Sequence, residues 1–329
     1  MSVALELTRC PVCDAADTRQ IASPDDLTAD AEALWEFHTR RLRPETPPER
    51  LADRVAFSQR RPYRVVQCLE CTLVYRNPRE RKFELKGTYE REVISAEVLQ
   101  ALFETQRVSY EAQARRLTEV AGRTGSGLEI GSYVGGFLAA ARDRGWNFEG
   151  RDVNEGANAF ARKQGMAVSS GTLEDFETRH RYRAVGIWNC LDQLPDPKRA
   201  VRLAAALLEE GGVLAIRVPN GGFYAAVRPF INGFAAPAAR MLLAHSNLLS
   251  FPYRTGFTVK SLRRLLEEAG LVIVHTHGDA LVPIADRWTR RWAKIEERGL
   301  KNLLRIAGAA GEAGALASPW FEMYAKRPS

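Results

Sequence analysis

The chain has 329 residues, enough for one large domain with an attachment or for two domains. Hydrophobic residues make up 45% and charged residues 26%, an ordinary globular balance with ample material for a core. The formal net charge of +7 permits an anionic substrate, nucleic acid or a membrane surface but selects none of them. The start, MSVALELTRC, lacks the features of a signal peptide, and no apolar stretch is long enough to span a bilayer. We therefore expect a soluble, cytoplasmic protein.

Four of the five cysteines form two C-x-x-C pairs, Cys10 with Cys13 and Cys68 with Cys71. Two such pairs supply the four thiolates of a tetrahedral zinc site; a redox pair or a metal-free thiol cluster are the alternatives. The 54 residues between the pairs exceed the usual ~15–20. The longer loop costs only about 1 kcal/mol more, against about 10–16 kcal/mol from zinc binding. We predict a structural site, because four thiolates leave no open position for catalysis.

Residues 81–124 follow the cysteine region and are predicted to be helical. Their apolar residues recur at near-helical spacing, and the segment GRTGSG at 122–127 breaks the pattern. The apolar positions are Leu99, Leu102, Phe103, Val108, Leu117 and Val120.

Beyond this breaker, short apolar segments alternate with helical ones. Such alternation predicts a parallel sheet covered by helices on both faces. Asp196 caps one predicted helix, Pro197 suits its first position, and Gly211 with Gly212 is predicted to end it. The predicted strands are 128–130, 147–153, 166–169, 184–190, 213–218, 271–275 and 320–326, and the predicted helices are 136–144, 157–164, 198–210 and 258–269.

A basic segment, Asp279–Ser318, separates the last two predicted strands, with tryptophans and an isoleucine on one face of a predicted helix. Two interpretations stay open. The helix is a lid that packs its tryptophans on the core, or it is a basic amphipathic helix that contacts a membrane surface or holds an anionic substrate. The residues concerned are Trp288, Arg290, Arg291, Trp292, Lys294 and Ile295.

The glycine-rich turn GSYVGGF, Gly131–Phe137, lies between the first predicted strand and its helix. Open α/β sheets bind nucleotides at this turn, and Asp152, which ends the next strand, is placed to hydrogen-bond ribose hydroxyls. Tyr133 would crowd the pyrophosphate of a dinucleotide, and the carboxylate of Glu129 would repel it. The turn therefore favours S-adenosylmethionine, which has no phosphate, over NAD. A purely structural turn with a surface aspartate is the alternative.

From about Gly127 to Val274 the chain resembles the class I S-adenosylmethionine-dependent methyltransferase family. Four segments carry the resemblance, in order: LEIGSYVGG, GRDVN, SGTLEDF, and WNCLDQLPDP followed by LLEEGGVLAIRVPN. The resemblance implies an α/β, Rossmann-like fold with a seven-stranded, mostly parallel sheet and a cofactor site at its strand ends. The implied cofactor-binding residues are Glu129, Gly131, Ser132, Tyr133, Gly135, Asp152, Val153, Leu173, Glu174, Asn189 and Cys190.

The chain departs from the family's pattern at three points. Tyr133 replaces the middle glycine of the turn, and Asp192-Gln193 stand where many relatives carry Glu-His. The fourth strand also lacks the N/D-P-P-Y/F signature of enzymes that methylate exocyclic amines of bases. The second departure leaves open a non-catalytic module that still binds the cofactor. The third departure counts against the alternative of an RNA methyltransferase that binds phosphates through the basic cysteine region.

The segments CPVCD and VVQCLECTLVYRNPRE resemble the zinc-ribbon module that precedes the methyltransferase domain in a subgroup of bacterial class I enzymes. The implied organisation is a zinc ribbon with an inserted segment over 1–80, a helical linker or substrate cap over 81–124, and the methyltransferase domain with a C-terminal lid insert over 125–329.

His245, after the fifth strand, is the predicted catalytic base, because imidazole titrates near neutral pH; a polar surface role is the alternative. The predicted function is methyl transfer to carbon or oxygen of a small molecule or biosynthetic intermediate. The predicted cofactors are S-adenosylmethionine and structural Zn²⁺. RNA methylation and a non-catalytic module are the alternatives, and nucleic acid is the less favoured partner.

Overall fold

The computed structural model describes residues 5–48, 63–80, 95–249, 251–281 and 287–328. The chain divides into two compact units, and each is assembled from segments that lie far apart in sequence. Unit 1 consists of Met1–Glu80, Val218–Arg264 and His277–Phe321, and unit 2 of Arg81–Arg217, Leu265–Thr276 and Glu322–Ser329. The domain boundaries expected from the sequence, at residues 80 and 124, stay a prediction.

Thirteen strands occur in the described residues. They are β1 (Leu5–Glu6), β2 (Thr18–Ala22), β3 (Val65–Cys68), β4 (Val74–Arg76), β5 (Arg79–Glu80), β6 (Ser126–Ile130), β7 (Asn147–Asp152), β8 (Ala167–Ser170), β9 (Tyr182–Trp188), β10 (Leu208–Pro219), β11 (Thr255–Gly256), β12 (Val272–Asp279) and β13 (Trp320–Lys326).

Eleven α-helices accompany them in the same part of the chain, and none of these is both long enough and apolar enough to cross a bilayer. They are α1 (Pro24–Arg41), α2 (Ala96–Ser109), α3 (Glu111–Ala121), α4 (Gly136–Arg142), α5 (Glu155–Lys163), α6 (Pro197–Ala206), α7 (Gly221–Val227), α8 (Ala236–His245), α9 (Val259–Glu268), α10 (Arg291–Gly308) and α11 (Gly311–Ala317). The expected cytoplasmic location stays a prediction.

A seven-stranded sheet has the order β12-β13-β10-β9-β6-β7-β8. The pairs β10–β9, β9–β6, β6–β7 and β7–β8 are all parallel. The chain builds outward from β6 to β8 on one side and from β9 to β10 on the other, so the strand order reverses between β6 and β9. Ligands bind at such a reversal in open α/β sheets. The predicted Rossmann-like, mostly parallel seven-stranded sheet is confirmed.

The helix before β10 is shorter than predicted. Asp196 caps α6 by accepting the Arg199 N–H, and Pro197 occupies the first turn, as expected. The helix ends at Ala206 rather than at residue 210, because Leu208 already pairs with Tyr182 of β9. The glycine pair at 211–212 therefore falls inside β10, where the register shifts before Val213, instead of ending the helix.

The helical segment predicted before the sheet forms α2 and α3. Leu99, Leu102, Phe103 and Leu117 are buried, whereas Val108 is 68% exposed. Residues 81–94 of the predicted segment lie outside the described residues. The apolar spacing therefore identified the buried face of both helices but not the exposure of Val108.

Unit 1 contains a four-stranded antiparallel sheet of order β11-β4-β3-β2. Three of its strands come from the cysteine region, and the fourth, β11, comes from the chain after β10. Its apolar core includes Leu34, Tyr63, Val65, Tyr224 and Leu243, all at most 1% exposed. The cysteine region therefore shares a sheet and a core with much later parts of the chain.

Candidate functional site

Three parallel strands of unit 2 end side by side. Ile130 of β6 pairs with Arg151 of β7 and with Ile187 of β9. The three strands end at Ile130, Asp152 and Trp188. Most of the cofactor-binding residues predicted from the sequence follow these three strand ends.

The turn after β6 is closely packed and takes left-handed backbone conformations. Gly131 has φ of +75°, and a Cβ atom there would lie 2.7 Å from the Sγ of Cys190. Gly135, at φ of +81°, occupies the position before α4. Tyr133 is also left-handed, at φ of +46°, which costs a non-glycine residue roughly 1–2 kcal/mol. The turn brings Gly131 and Cys190 into contact and leaves Tyr133 partly exposed.

Asp152 ties this turn to the end of β7. One carboxylate oxygen accepts the Tyr133 N–H at 2.9 Å, and the other accepts the Asn154 N–H at 2.8 Å. Burial raises the pKa of Asp152, and the backbone hydrogen bonds oppose that rise. Because each carboxylate oxygen has two acceptor positions, Asp152 keeps capacity for a ligand's hydroxyl groups.

Glu129 is a buried carboxyl group in β6, only 3% exposed. Among the described residues its Oε2 atom has no hydrogen-bond partner. Burial and the charge of Asp152 raise the pKa of Glu129 well above its usual value. The neighbouring Ser132 is also buried and packs against Gly150, so its side chain lies beneath the turn.

The acidic groups at these strand ends create a negative potential. Burial raises the pKa of Cys190, and Asp152, Asp192 and Glu129 raise it further. Burying a carboxyl group that lacks a hydrogen-bond partner costs free energy unless a nearby cation compensates its charge. The site therefore suits a ligand with positive charge, such as the sulfonium and ammonium groups of S-adenosylmethionine, and disfavours a pyrophosphate.

The segment after β8 is held by Arg151, a residue that sequence analysis missed. Its Nε donates to the Thr172 carbonyl oxygen at 2.6 Å, and its guanidinium stacks on Phe176 with 4.8 Å to the ring centroid. Of the residues predicted to meet adenine, Leu173 is buried and Glu174 is exposed; Val153 is partly exposed. The strand of Arg151, NFEGRD, is largely polar, so no signal in the sequence singled this residue out.

Asn189 is fixed by a buried polar network. It has φ of +56°, and its Oδ1 accepts from Arg217 at 2.9 Å while its Nδ2 donates to the Tyr110 hydroxyl at 3.0 Å. Arg217 is fully buried, and its Nε lies 4.0 Å from Glu322. Tyr110, also missed from the sequence, joins α2 to α3 and lies 79 residues from Asn189, so only a folded structure brings the two together.

The four cysteines of the two C-x-x-C pairs converge in unit 1. Their Sγ atoms all lie within 4.8 Å of one another, with 3.5 Å between Cys10 and Cys71 and between Cys13 and Cys68. Zinc–sulfur bonds of about 2.3 Å in a tetrahedron require sulfur separations of about 3.8 Å. All four are free cysteines, so the donor set fits a structural zinc ion.

The two cysteine loops have the same backbone geometry. Cys10 N–H donates to the Ala15 carbonyl and Cys68 N–H to the Leu73 carbonyl, both at 2.9 Å. The residue after each second cysteine is left-handed, with φ of +62° at Asp14 and +65° at Thr72. Two matching loops with their thiols facing each other are the arrangement that a four-thiolate site needs.

His245 belongs to unit 1, whereas Asn189 and Cys190 belong to unit 2. Its Nε2 lies 2.6 Å from Glu296, which also accepts from Arg41, and its ring contacts Phe37 edge-on with centroids 4.8 Å apart. Burial lowers the pKa of His245, and the hydrogen bond with Glu296 opposes that effect. The catalytic role predicted for His245 stays a prediction.

A protein-family model spans the three strands that carry this site. A family model described as a methyltransferase domain matches residues 102–276, more than half of the chain. No curated protein matches this chain.

Three solved structures illustrate the similarity. A Thermotoga maritima SAM-dependent methyltransferase, described as a possible histamine N-methyltransferase, is 16% identical over 74% of this chain and 99% of its own, with a TM-score of 0.46. The plantazolicin methyltransferase BamL, solved with a substrate analogue and SAH, is 14% identical over 75% and 96%, with a TM-score of 0.47. A Mesorhizobium loti S-adenosylmethionine-dependent methyltransferase is 15% identical over 67% and 98%, with a TM-score of 0.43.

Proposed function

Because this chain belongs to the methyltransferase-domain family and is an enzyme of that class, we propose that it transfers a methyl group from S-adenosylmethionine to carbon or oxygen of a small molecule or biosynthetic intermediate. The observation that carries the choice of cofactor is the buried carboxyl group of Glu129, whose Oε2 has no hydrogen-bond partner among the described residues. A cationic ligand beside β6 compensates that group, and a dinucleotide does not.

Each strand-end residue has a proposed task. Glu129 holds the ammonium group of the methionine part by charge, and Gly131, Ser132, Tyr133 and Gly135 form the wall of that part of the pocket. Asp152, fixed by two backbone N–H groups, accepts hydrogen bonds from the ribose hydroxyls. The residues proposed to enclose the adenine are Val153, Leu173 and Glu174.

Asn189 and Cys190 are proposed to lie beside the reacting methyl group. S-adenosylmethionine, when bound, supplies an electrophilic methyl group that an acceptor attacks in line with the carbon–sulfur bond. The network of Arg217 and Tyr110 fixes the side chain of Asn189, which keeps this wall of the pocket rigid and supports orientation of the acceptor. A base is required only when the acceptor loses a proton, and His245 is the proposed base for that case.

We further propose that residues 1–80 form a zinc ribbon and that the four cysteines hold one structural Zn²⁺. The convergent thiols and the matched loops support this proposal. A closed four-thiolate site stabilises the fold and takes no part in methyl transfer.

The test is calorimetric titration of the purified chain with S-adenosylmethionine and with NAD, combined with detection of S-adenosylhomocysteine after incubation with fractionated cell extract. We expect S-adenosylmethionine to bind and NAD not to bind. Asp152→Ala should weaken binding at least about 10-fold, since it removes hydrogen bonds to the ribose and frees the turn. Asp143→Ala, at an exposed position paired with Arg107, is the matched control and should bind as the wild type does.

The outcomes separate the alternatives. Tight NAD binding without S-adenosylmethionine binding would overturn the proposal. Cofactor binding without any product in all fractions would favour the non-catalytic module. Product formation only with RNA, with affinity that falls steeply as salt rises, would indicate an RNA methyltransferase.

A further inference from the structure

The helix α10 is built with its polar and apolar faces reversed. Its inner face buries the charged pair Glu297 and Lys301, which are 5% and 1% exposed and bonded to each other. Its outer face carries large apolar side chains that are between 48% and 74% exposed: Trp292, Ile295, Leu303 and Ile306. Helices on a globular surface normally show the opposite arrangement. We call these four residues the apolar stripe.

The apolar stripe is a continuous feature of one helical face. At about 100° per residue, its four members fall within an arc of about 80°, and Gly299 lies inside that arc. The stripe therefore runs along most of the 18-residue helix. This geometry corrects one expectation from the sequence: Trp288 precedes the helix and is buried, whereas Trp292 and Ile295 point outward instead of packing on the core.

Three positive charges lie along one side of the apolar stripe, and Glu296, paired with Arg41, lies along the other. Within the part of the chain that the structure describes, Arg291, Lys294 and Arg298 have no ion-pair partner. Both acids of the helix are already engaged, Glu296 by Arg41 and Glu297 by Lys301. The exposed side of α10 therefore presents an apolar stripe with uncompensated cations along one side.

We propose that this side of α10 binds the surface of an anionic lipid bilayer, with the helix lying in the plane of the interface. An apolar stripe with basic residues along one side matches the acyl and phosphate layers that such a surface offers. A second copy of the chain would bring the same cations against each other, so charge complementarity favours the lipid surface. The proposal does not depend on which molecule the enzyme methylates.

The test is cosedimentation of the full chain with vesicles of phosphatidylcholine alone and of equimolar phosphatidylcholine and phosphatidylglycerol. We expect binding to the anionic vesicles only, and release at high salt because the phosphate contacts are screened. Replacing Ile295 and Leu303 by serine should weaken the partition coefficient on the order of 100-fold, since two exposed apolar anchors are lost. Replacing Arg291, Lys294 and Arg298 by glutamine should weaken it on the order of 100-fold as well, at about 1 kcal/mol per cation.

The matched control is Val108→Ser, which removes a 68%-exposed apolar side chain outside α10 and should bind as the wild type does. Circular dichroism and the midpoint of thermal unfolding verify that each variant is folded. Failure of the wild type to bind anionic vesicles, or equal binding by the Ile295 and Leu303 variant, overturns the proposal. A concentration-dependent dimer that Ile295→Ser abolishes would show that a second copy covers the stripe, and would overturn it too.

Discussion

Gly131 faces two separate constraints, a left-handed backbone and the thiol of Cys190 in the space where a Cβ would lie. Gly122 faces only the first, because its φ is +74° and no atom lies within 4 Å of an added Cβ. The two glycines therefore separate the cost of backbone strain from the cost of crowding.

We predict that Gly122→Ala lowers the free energy of unfolding by about 1 kcal/mol, from strain alone. Gly131→Ala should lower it by a further 1–3 kcal/mol or so, because the methyl group overlaps Cys190. Urea unfolding followed by circular dichroism measures both values. In the double variant Gly131→Ala with Cys190→Ala, the added cost of crowding should fall but not vanish, because the Cβ of residue 190, 2.9 Å from the added methyl carbon, remains. Equal destabilisation by the two glycine variants would contradict the contact between Gly131 and Cys190.

At this scale the sequence identified the residues of the turn better than those that support it. Glu129, Gly131 and Asp152 lie within one local pattern of strand, turn and strand end. Arg151 and Tyr110 were missed because their partners, Thr172 and Asn189, are 21 and 79 residues away. A periodicity or motif describes neighbours in the chain, and neither reports such a contact.

At the scale of elements, the cysteine region does not form a sheet by itself. Its strand β4 pairs with β11, and Thr72 in the second cysteine loop hydrogen-bonds Thr258, the residue before α9, with 2.7 Å between the hydroxyl oxygens. Lys260 and Arg264 of α9 reach Glu70 in the same loop. A metal ion at the four thiols would therefore also stabilise the pairing of β11.

We predict that the chain binds one zinc ion and that its removal with a chelator increases amide hydrogen exchange in β11 and β4 at least about 10-fold, since a structural zinc contributes about 10–16 kcal/mol to folding. Hydrogen exchange with mass spectrometry measures this, and β8 in unit 2 is the internal reference that should not change. Cys71→Ser should reproduce the effect without chelator. Unchanged exchange in β11 after complete loss of zinc would show that the metal does not support this sheet.

The sequence predicted the elements of the parallel sheet because each strand is a short apolar run between helix caps and glycine breakers. It did not predict β11, which has two residues and pairs with a strand about 180 residues earlier in the chain. It also placed Trp292 and Ile295 on one helical face without deciding whether that face is covered, and it did not single out Leu303 and Ile306. Periodicity defines a face, but only the packing of the neighbouring elements determines which face is buried.

At the scale of the whole molecule, the buried carboxylate of Glu322, which lies beside two arginines, contributes to stability against acid. Glu322 of β13 is fully buried, accepts hydrogen bonds from Arg116 of α3 and the hydroxyl of Tyr324, and lies 4.0 Å from Arg217 of β10. Burial alone would raise the pKa of Glu322, but the two arginines lower it to about 2 from its ordinary 4.5. A folded-state pKa below the unfolded one stabilises the fold at any pH above the unfolded value.

We predict that Glu322→Gln lowers the free energy of unfolding by about 3–5 kcal/mol at neutral pH, because it leaves buried arginine charges without compensation.

The sign of the pH dependence of this effect follows from the lowered pKa of Glu322. The wild type loses the contribution of Glu322 as pH falls from about 4.5 towards about 2, at up to about 1.4 kcal/mol per pH unit. The difference between the wild type and Glu322→Gln should therefore be constant above pH 5 or so and shrink below it. Urea unfolding at a series of pH values measures this difference, with Glu119→Gln, at an exposed pair with Arg115, as the control that should change little. A difference that stays constant down to the acid limit would show that Glu322 is not ionised in the folded protein.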